Sequence, residues 1–283
     1  MLNGGTPEFA PYSGKLYDSC VLATNNADQP WGGGVDPFGV NWAVTPEGAI
    51  PEPGRFLFEE IEDWEKHVRF PEVSSLGLGQ MASLEVPKLN REEKITTVLS
   101  VCGLFERMAA FMGFENTLFA LLDDPDSCRD FLEAFSDYKI RVLIRIIDLC
   151  RPDMIILFDD IATANNLFMS KETWRDLFKP YLRKIGNAVR ERDVVFGEHT
   201  CGLCQDILDD YVDIGIQLWN SAQPVNDLGA ILDKYGNKLL VNGGRDSQDP
   251  ASWIGASEET VIEEINRCLQ EYSRFKTSSL QPF

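Results

Sequence analysis

Residues 192–206 read Arg192-Asp193-Val194-Val195-Phe196-Gly197-Glu198-His199-Thr200-Cys201-Gly202-Leu203-Cys204-Gln205-Asp206. An apolar run bounded by charge is the pattern of a buried strand. This strand carries His199, Cys201 and Cys204 to the point where the next helix begins. Alternate side chains of a strand share a face, so His199 and Cys201 project together, close enough to hold one metal ion. Gly202 permits a sharp turn, and Cys201-x-x-Cys204 is itself a spacing used by metal ligands. Two other readings stand beside this one. Cysteines and a histidine at a strand end also occur as plain packing residues, and a Cys-x-x-Cys pair can be a redox couple.

Working outward, apolar strands alternate with single helices. Strands are predicted at residues 95–102, 154–158, 194–196, 216–219, 238–242 and, last, 275–280. Between them lie helices at 104–112, 115–122, a long one opened by Asp124 and Pro125 and ended by Pro152, 170–192 with a break at Pro180, 205–214, 227–235 and 257–272. The strand Met154-Ile155-Ile156-Leu157-Phe158 is apolar on both faces, as parallel strands covered by helices are. Polar or turn residues recur at one end of successive strands, at Gly103, Asp159 and Asp160, His199 and Cys201, Asn220, and Asn242. A closed barrel gathers such ends around one axis, whereas an open sheet spreads them. The expected fold is therefore a single-domain α/β chain, a (β/α)8 TIM barrel over residues 56–283.

Residues 1–55 are rich in Gly, Pro and aromatics and read as an irregular cover of short strands and loops, with Trp31 and Trp42 as packing residues. An acidic amphipathic helix is predicted over residues 56–67, with His67 on the surface, and a loop over residues 77–87.

With 283 residues the chain can bury one large core. A net charge of −19 repels nucleic acid and anionic membranes, so neither is an expected partner. The first residues lack the basic start and long apolar run of a signal peptide, and no segment has the length of a membrane span, which implies a cytoplasmic location. The seven scattered cysteines do not form a disulfide framework. Cys102, Cys128, Cys150 and Cys268 are expected to pack reduced in the interior.

Four segments then carry a family resemblance: Leu157-Phe158-Asp159-Asp160-Ile161-Ala162-Thr163; Ser170-Lys171-Glu172-Thr173-Trp174 through Lys179-Pro180-Tyr181; His199-Thr200-Cys201-Gly202; and Val241-Asn242-Gly243-Gly244-Arg245-Asp246. In order and spacing they resemble the uroporphyrinogen decarboxylase superfamily over roughly residues 35 to 272, and more closely its cobalamin-dependent methyltransferase branch. The decarboxylases' Arg-rich N-terminal substrate loop and late histidine have no counterpart here. The first ninety residues hold only Arg55 and Arg69, and no histidine follows His199.

The methyltransferase resemblance implies zinc held by His199 and Cys201, with a corrinoid supplied by a carrier protein and a small methyl acceptor such as a thiol. Coordination removes a thiol proton that at neutral pH is otherwise mostly retained. The family's third ligand is a Cys near the C-terminus, which this chain lacks. Cys204 is the first substitute; Glu198 or Asp160 are the others, and a His199–Cys201 pair that contacts substrate without zinc is the remaining one. The same resemblance gives Asp160 the task of orienting a ligand, counts Glu198 among the catalytic residues, places Asn242 and Asp246 along the pocket, and suggests a homodimer. The alternatives are a decarboxylase-type tetrapyrrole enzyme and a barrel that binds a corrinoid or tetrapyrrole without chemistry.

Overall fold

A computed structural model describes residues 16–20, 29–30, 32–45, 48–272 and 278–279. Its frame is a parallel sheet of seven strands: β1 (Leu16–Cys20), β5 (Lys94–Ser100), β6 (Met154–Phe158), β7 (Val195–His199), β8 (Leu218–Ala222), β9 (Leu240–Gly243) and β10 (Ser278–Ser279), in that spatial order. Every adjacent pair is parallel.

Alternation along these strands separates two cores. Ile95, Met154, Ile156, Val195, Leu218 and Leu240 form one small cluster on the concave side, lying on five successive strands or just before them. Their strand neighbours Val98, Ile155, Leu157, Phe196, Trp219 and Val241 join the larger cluster packed against the helices. Apolar residues on both faces, as along β6, are what a barrel-like curl covered by helices requires. Of the expected (β/α)8 barrel, the described residues show a curled parallel sheet of seven strands, and among them none pairs β1 with β10.

The helices are α1 (Trp64–His67), α2 (Leu78–Glu85), α3 (Leu104–Met112), α4 (Phe114–Asp123), α5 (Pro125–Cys150), α6 (Lys171–Leu177), α7 (Lys179–Arg190), α8 (Leu208–Asp213), α9 (Leu228–Tyr235) and α10 (Glu258–Tyr272). Asp124 caps α5 as expected, its side chain accepting from the Ser127 N–H. The helix expected to run through Pro180 divides there into α6 and α7. Two expectations change. Residues 56–67 hold only one 3₁₀ turn and the short α1, and the segment expected as loop contains α2. None of these helices is long and apolar enough to cross a membrane.

The N-terminal cover is an antiparallel sheet of β2 (Gly34–Val35), β3 (Asn41–Thr45) and β4 (Gly48–Pro51). Trp42 packs in the core as read; Trp31 lies outside the described residues. Asp36 fastens the cover. Its carboxylate accepts from the N–H groups of Phe38 and Val40, the indole N–H of Trp42 at 3.0 Å and the Arg107 guanidinium on α3 at 2.7 Å. Arg107 and Asp36 are both fully enclosed, and the guanidinium lies over the Phe38 ring at 4.5 Å. Cys102, Cys128, Cys150 and Cys268 are buried, matching the packing role expected of them.

Candidate metal centre

The C-terminal ends of β6 and β7 meet at one point because the strands are in register, with Phe158 opposite His199. The residues following each strand then turn toward one another. Asp160, His199 and Cys201 offer ligand atoms that all lie within 4.8 Å of each other. His199 Nε2 is 3.4 Å from Cys201 Sγ and 3.8 Å from Asp160 Oδ1. A tetrahedral zinc separates nitrogen and sulfur ligands by roughly 3.5 Å, so the pair is already at chelating distance.

Each of the three is held from behind. The Nδ1–H of His199 donates to Asn220 Oδ1, which fixes the tautomer and turns Nε2 toward Cys201. Asn220 in turn donates through Nδ2 to Asn242 Oδ1 at 2.5 Å. Asp160 Oδ1 accepts from the Cys201 N–H at 2.7 Å, tying the loop after β6 to the loop after β7. Gly202 takes φ of +85°, and a Cβ there would lie 2.4 Å from the Thr163 carbonyl oxygen. Only glycine lets the chain pass so close. Gln223 Oε1 accepts the Gly202 N–H, while Asn226 Oδ1 accepts those of Cys204 and Gln205.

Burial pushes the Cys201 thiol up to about 12, with the negative charge of Asp160 adding to it. The same burial lowers His199 and keeps its imidazole neutral, the form that ligates a metal. In the absence of a cation the site therefore holds a thiol, and a bound cation reverses that preference.

Cys204, expected first as the third ligand, is placed otherwise. It is fully buried against the core with its sulfur 3.9 Å from the Thr200 carbonyl oxygen. The group whose ligand atoms converge holds Asp160 with His199 and Cys201, and does not include Cys204. Glu198 is also outside that group. It lies on the strand face opposite His199, is buried, and its Oε2 has no hydrogen-bond partner. Burial raises its carboxyl well above the usual range, and the charges of Asp159, Glu106 and Asp160 raise it further. Asn242 is buried behind Asn220 and supports His199 at one remove, while Asp246 lies on the rim of a cavity.

Glu106 was not singled out in the sequence, and Asp159 was noted only as a strand-end residue. Asp159 accepts from the N–H groups of Leu104, Phe105 and Glu106 at 3.0, 3.1 and 3.0 Å, capping α3 from another element. The approach depends on Gly103, where a Cβ would lie 2.4 Å from Asp159 Cβ. Burial raises Glu106 to about 8 and Asp159 to about 6. The one signal in the sequence was the pairing of Gly103 with Asp159 at two neighbouring strand ends.

Two cavities flank the group. One, of about 540 Å³, reaches Asp160 and Glu106 beneath the N-terminal cover. The other, of about 460 Å³, reaches Cys201 and is lined by Thr163, Gln223, Asp246 and Ser247. A centre between two cavities can bring two reactants to one place.

A sequence model of the uroporphyrinogen decarboxylase (URO-D) family matches residues 38–278. No curated protein matches the chain. Among solved structures it is similar to a methyltransferase from Methanosarcina mazei at 14% identity and a TM-score of 0.64, covering 93% of this chain and 72% of that one. A chitinase from Chromobacterium violaceum aligns at 10% identity with a TM-score of 0.30, over 98% of this chain and 62% of its own. The first likeness is one of fold.

Proposed function

The chain belongs to the uroporphyrinogen decarboxylase family, and on that premise we propose that it is a methyltransferase of the corrinoid-dependent branch, exchanging a methyl group between a corrinoid carrier protein and a small acceptor such as a thiol. The observation that carries this reading is the convergence of Asp160, His199 and Cys201 on one point at the strand ends. An imidazole nitrogen, a thiol and a carboxylate suit zinc, and a three-residue donor set leaves one tetrahedral position for a reactant. Bound there, zinc supplies the Lewis acidity that lowers the pKa of an incoming thiol and makes its sulfur nucleophilic at neutral pH.

The chain's own residues do the rest. Asn220 holds the Nε2 lone pair of His199 toward the centre, and Asn242 holds Asn220. Asp160 is anchored by the Cys201 N–H and lies in the cavity beneath the cover, where it orients a reactant. Asp246 lies in the other cavity, with Cys201. The eightfold closure of the barrel and a homodimer belong to the same reading.

Decarboxylation of uroporphyrinogen fits the site less well. A substrate with eight carboxylates would meet Asp160 and Glu106 in one cavity and Asp246 in the other. The test is metal analysis of protein purified without chelators, followed by thiol methylation with methylcobalamin standing in for the carrier. Close to one zinc per chain and turnover that fails in Cys201→Ser are expected. Metal-free protein with undiminished turnover, or loss of carboxylates from uroporphyrinogen, sinks the proposal.

A further inference from the structure

We infer that the cavity beside Asp160 binds the small methyl-exchanging molecule and selects one that is uncharged and has an apolar or aromatic body. The inference rests on the methyl-transfer reading for the atom presented to Asp160, and goes beyond it in naming the chemistry of the rest of the ligand.

The walls come from five parts of the chain that the fold brings together. Trp42 and Ile50 descend from the small antiparallel sheet, Phe56 from the segment after it, Phe105 and Phe114 from the start of α3 and α4, and Phe168 from the loop after β6. Three of the rings pack mutually, Phe114 edge-on to Phe168 at 5.0 Å and Phe105 against Phe168 at 5.4 Å and Phe114 at 5.8 Å. Such a wall offers ring faces and edges to another ring and no charge.

The polar groups are few. Glu106 and Asp160 supply the carboxyls, Cys102 a sulfur and Gln29 an amide that already donates to the Ala49 carbonyl. Among the described residues no Lys, Arg or His lines the cavity. The two arginines next to lining positions are committed elsewhere, Arg107 to Asp36 and Arg55 to Glu52. Away from the metal centre, a sulfonate, phosphate or carboxylate would lose its water against the aromatic wall, where no described Lys, Arg or His side chain replaces it. An uncharged ring loses little water and gains the aromatic wall. At about 540 Å³ the space is that of a small-molecule site. The cavity on the Cys201 side has no aromatic wall and mixes Thr163, Gln223, Asp246 and Ser247 with Pro224 and Val225.

The test is calorimetric binding to the zinc-supplemented full chain of two matched pairs: phenylmethanethiol against 2-mercaptoethanesulfonate, and toluene against benzenesulfonate. The uncharged member of each pair should bind more tightly by about tenfold or more. Ile50→Arg, on an exposed strand, should shrink that preference by placing a cation at the wall. Ala109→Trp, which fills the cavity from α3, should abolish the binding of toluene. If the thiol gains nothing over toluene, the metal reading fails while a toluene preference upholds the cavity assignment. If either sulfonate matches its uncharged partner, if none of the four binds, or if Ala109→Trp leaves toluene binding intact, the inference is overturned.

Discussion

The imidazole of His199 lies flat on the ring of Phe158, with centroids 3.9 Å apart and planes inclined by 9°. The two are register partners on adjacent parallel strands. One face of the imidazole is thus occupied by an aromatic ring, and its Nδ1–H is taken by Asn220, which leaves Nε2 facing Cys201 and Asp160. The histidine is oriented before any cation arrives.

That orientation makes Asn220 a test of the centre. Asn220→Ala leaves His199 in place but releases its tautomer, and zinc affinity measured by chelator competition should fall by about 10- to 100-fold. Phe158→Leu keeps an apolar contact without the flat stack and should cost less. An unchanged affinity in Asn220→Ala would mean that His199 is not a ligand.

The third ligand can be separated by metal occupancy. Asp160→Ala and Cys201→Ser should each lose zinc on dialysis, whereas Cys204→Ala should retain it and lose only about 1 kcal/mol of stability, the cost of a small core truncation. Cys204 is enclosed in the core, and its thiol is pushed far up by burial. Metal loss in Cys204→Ala with Asp160→Ala fully loaded would restore the ligand set that the spacing alone suggested.

The buried pair of Asp36 and Arg107 fastens the cover that forms one wall of the apolar cavity. Asp36→Ala removes the acceptor for two backbone N–H groups and the Trp42 indole and takes a carboxylate away from the buried Arg107 guanidinium. Breaking a buried pair in this way costs about 3–5 kcal/mol. Urea unfolding should show that loss, and toluene binding should weaken with it. The double variant Asp36→Ala/Arg107→Met should recover part of the stability, since no buried charge then remains uncompensated.

Much of this was legible because parallel strands announce themselves. Met154–Phe158 is apolar on both faces, and the strand before His199 is bounded by charge, so the order of strands and the end that bears chemistry follow from periodicity. Contacts between strand ends are different. Nothing in the spacing of residue 160 from residue 201 reports that the Asp160 carboxylate accepts the Cys201 N–H, and that contact decides which residue joins His199 and Cys201. Cys-x-x-Cys describes a sequence interval; in the fold Gly202 takes a positive φ and Cys204 is enclosed in the core, outside the converging group. Residues 78–85, expected as loop, form a helix that Gly77, in the left-handed region, precedes.

A last prediction concerns acid stability away from the centre. Asp210 on α8 is buried, which alone pushes its carboxyl up, but Arg175 on α6 and Lys179 on α7 hydrogen-bond to it at 2.8 to 3.1 Å and hold it below the usual value of 3.8. A carboxylate depressed in the folded state binds fewer protons there than in the unfolded chain, so its contribution is complete above 3.8 and is lost as pH falls through the lower, folded value. Asp210→Asn should therefore be less stable than the parent at neutral pH, with the gap closing as the pH is lowered below 3.8. Urea midpoints of the two proteins across that range decide it. A gap that is independent of pH would assign the loss to packing of α8 against α6 and α7, and a gap that widens in acid would reverse the sign of the linkage and with it the role given to Arg175 and Lys179.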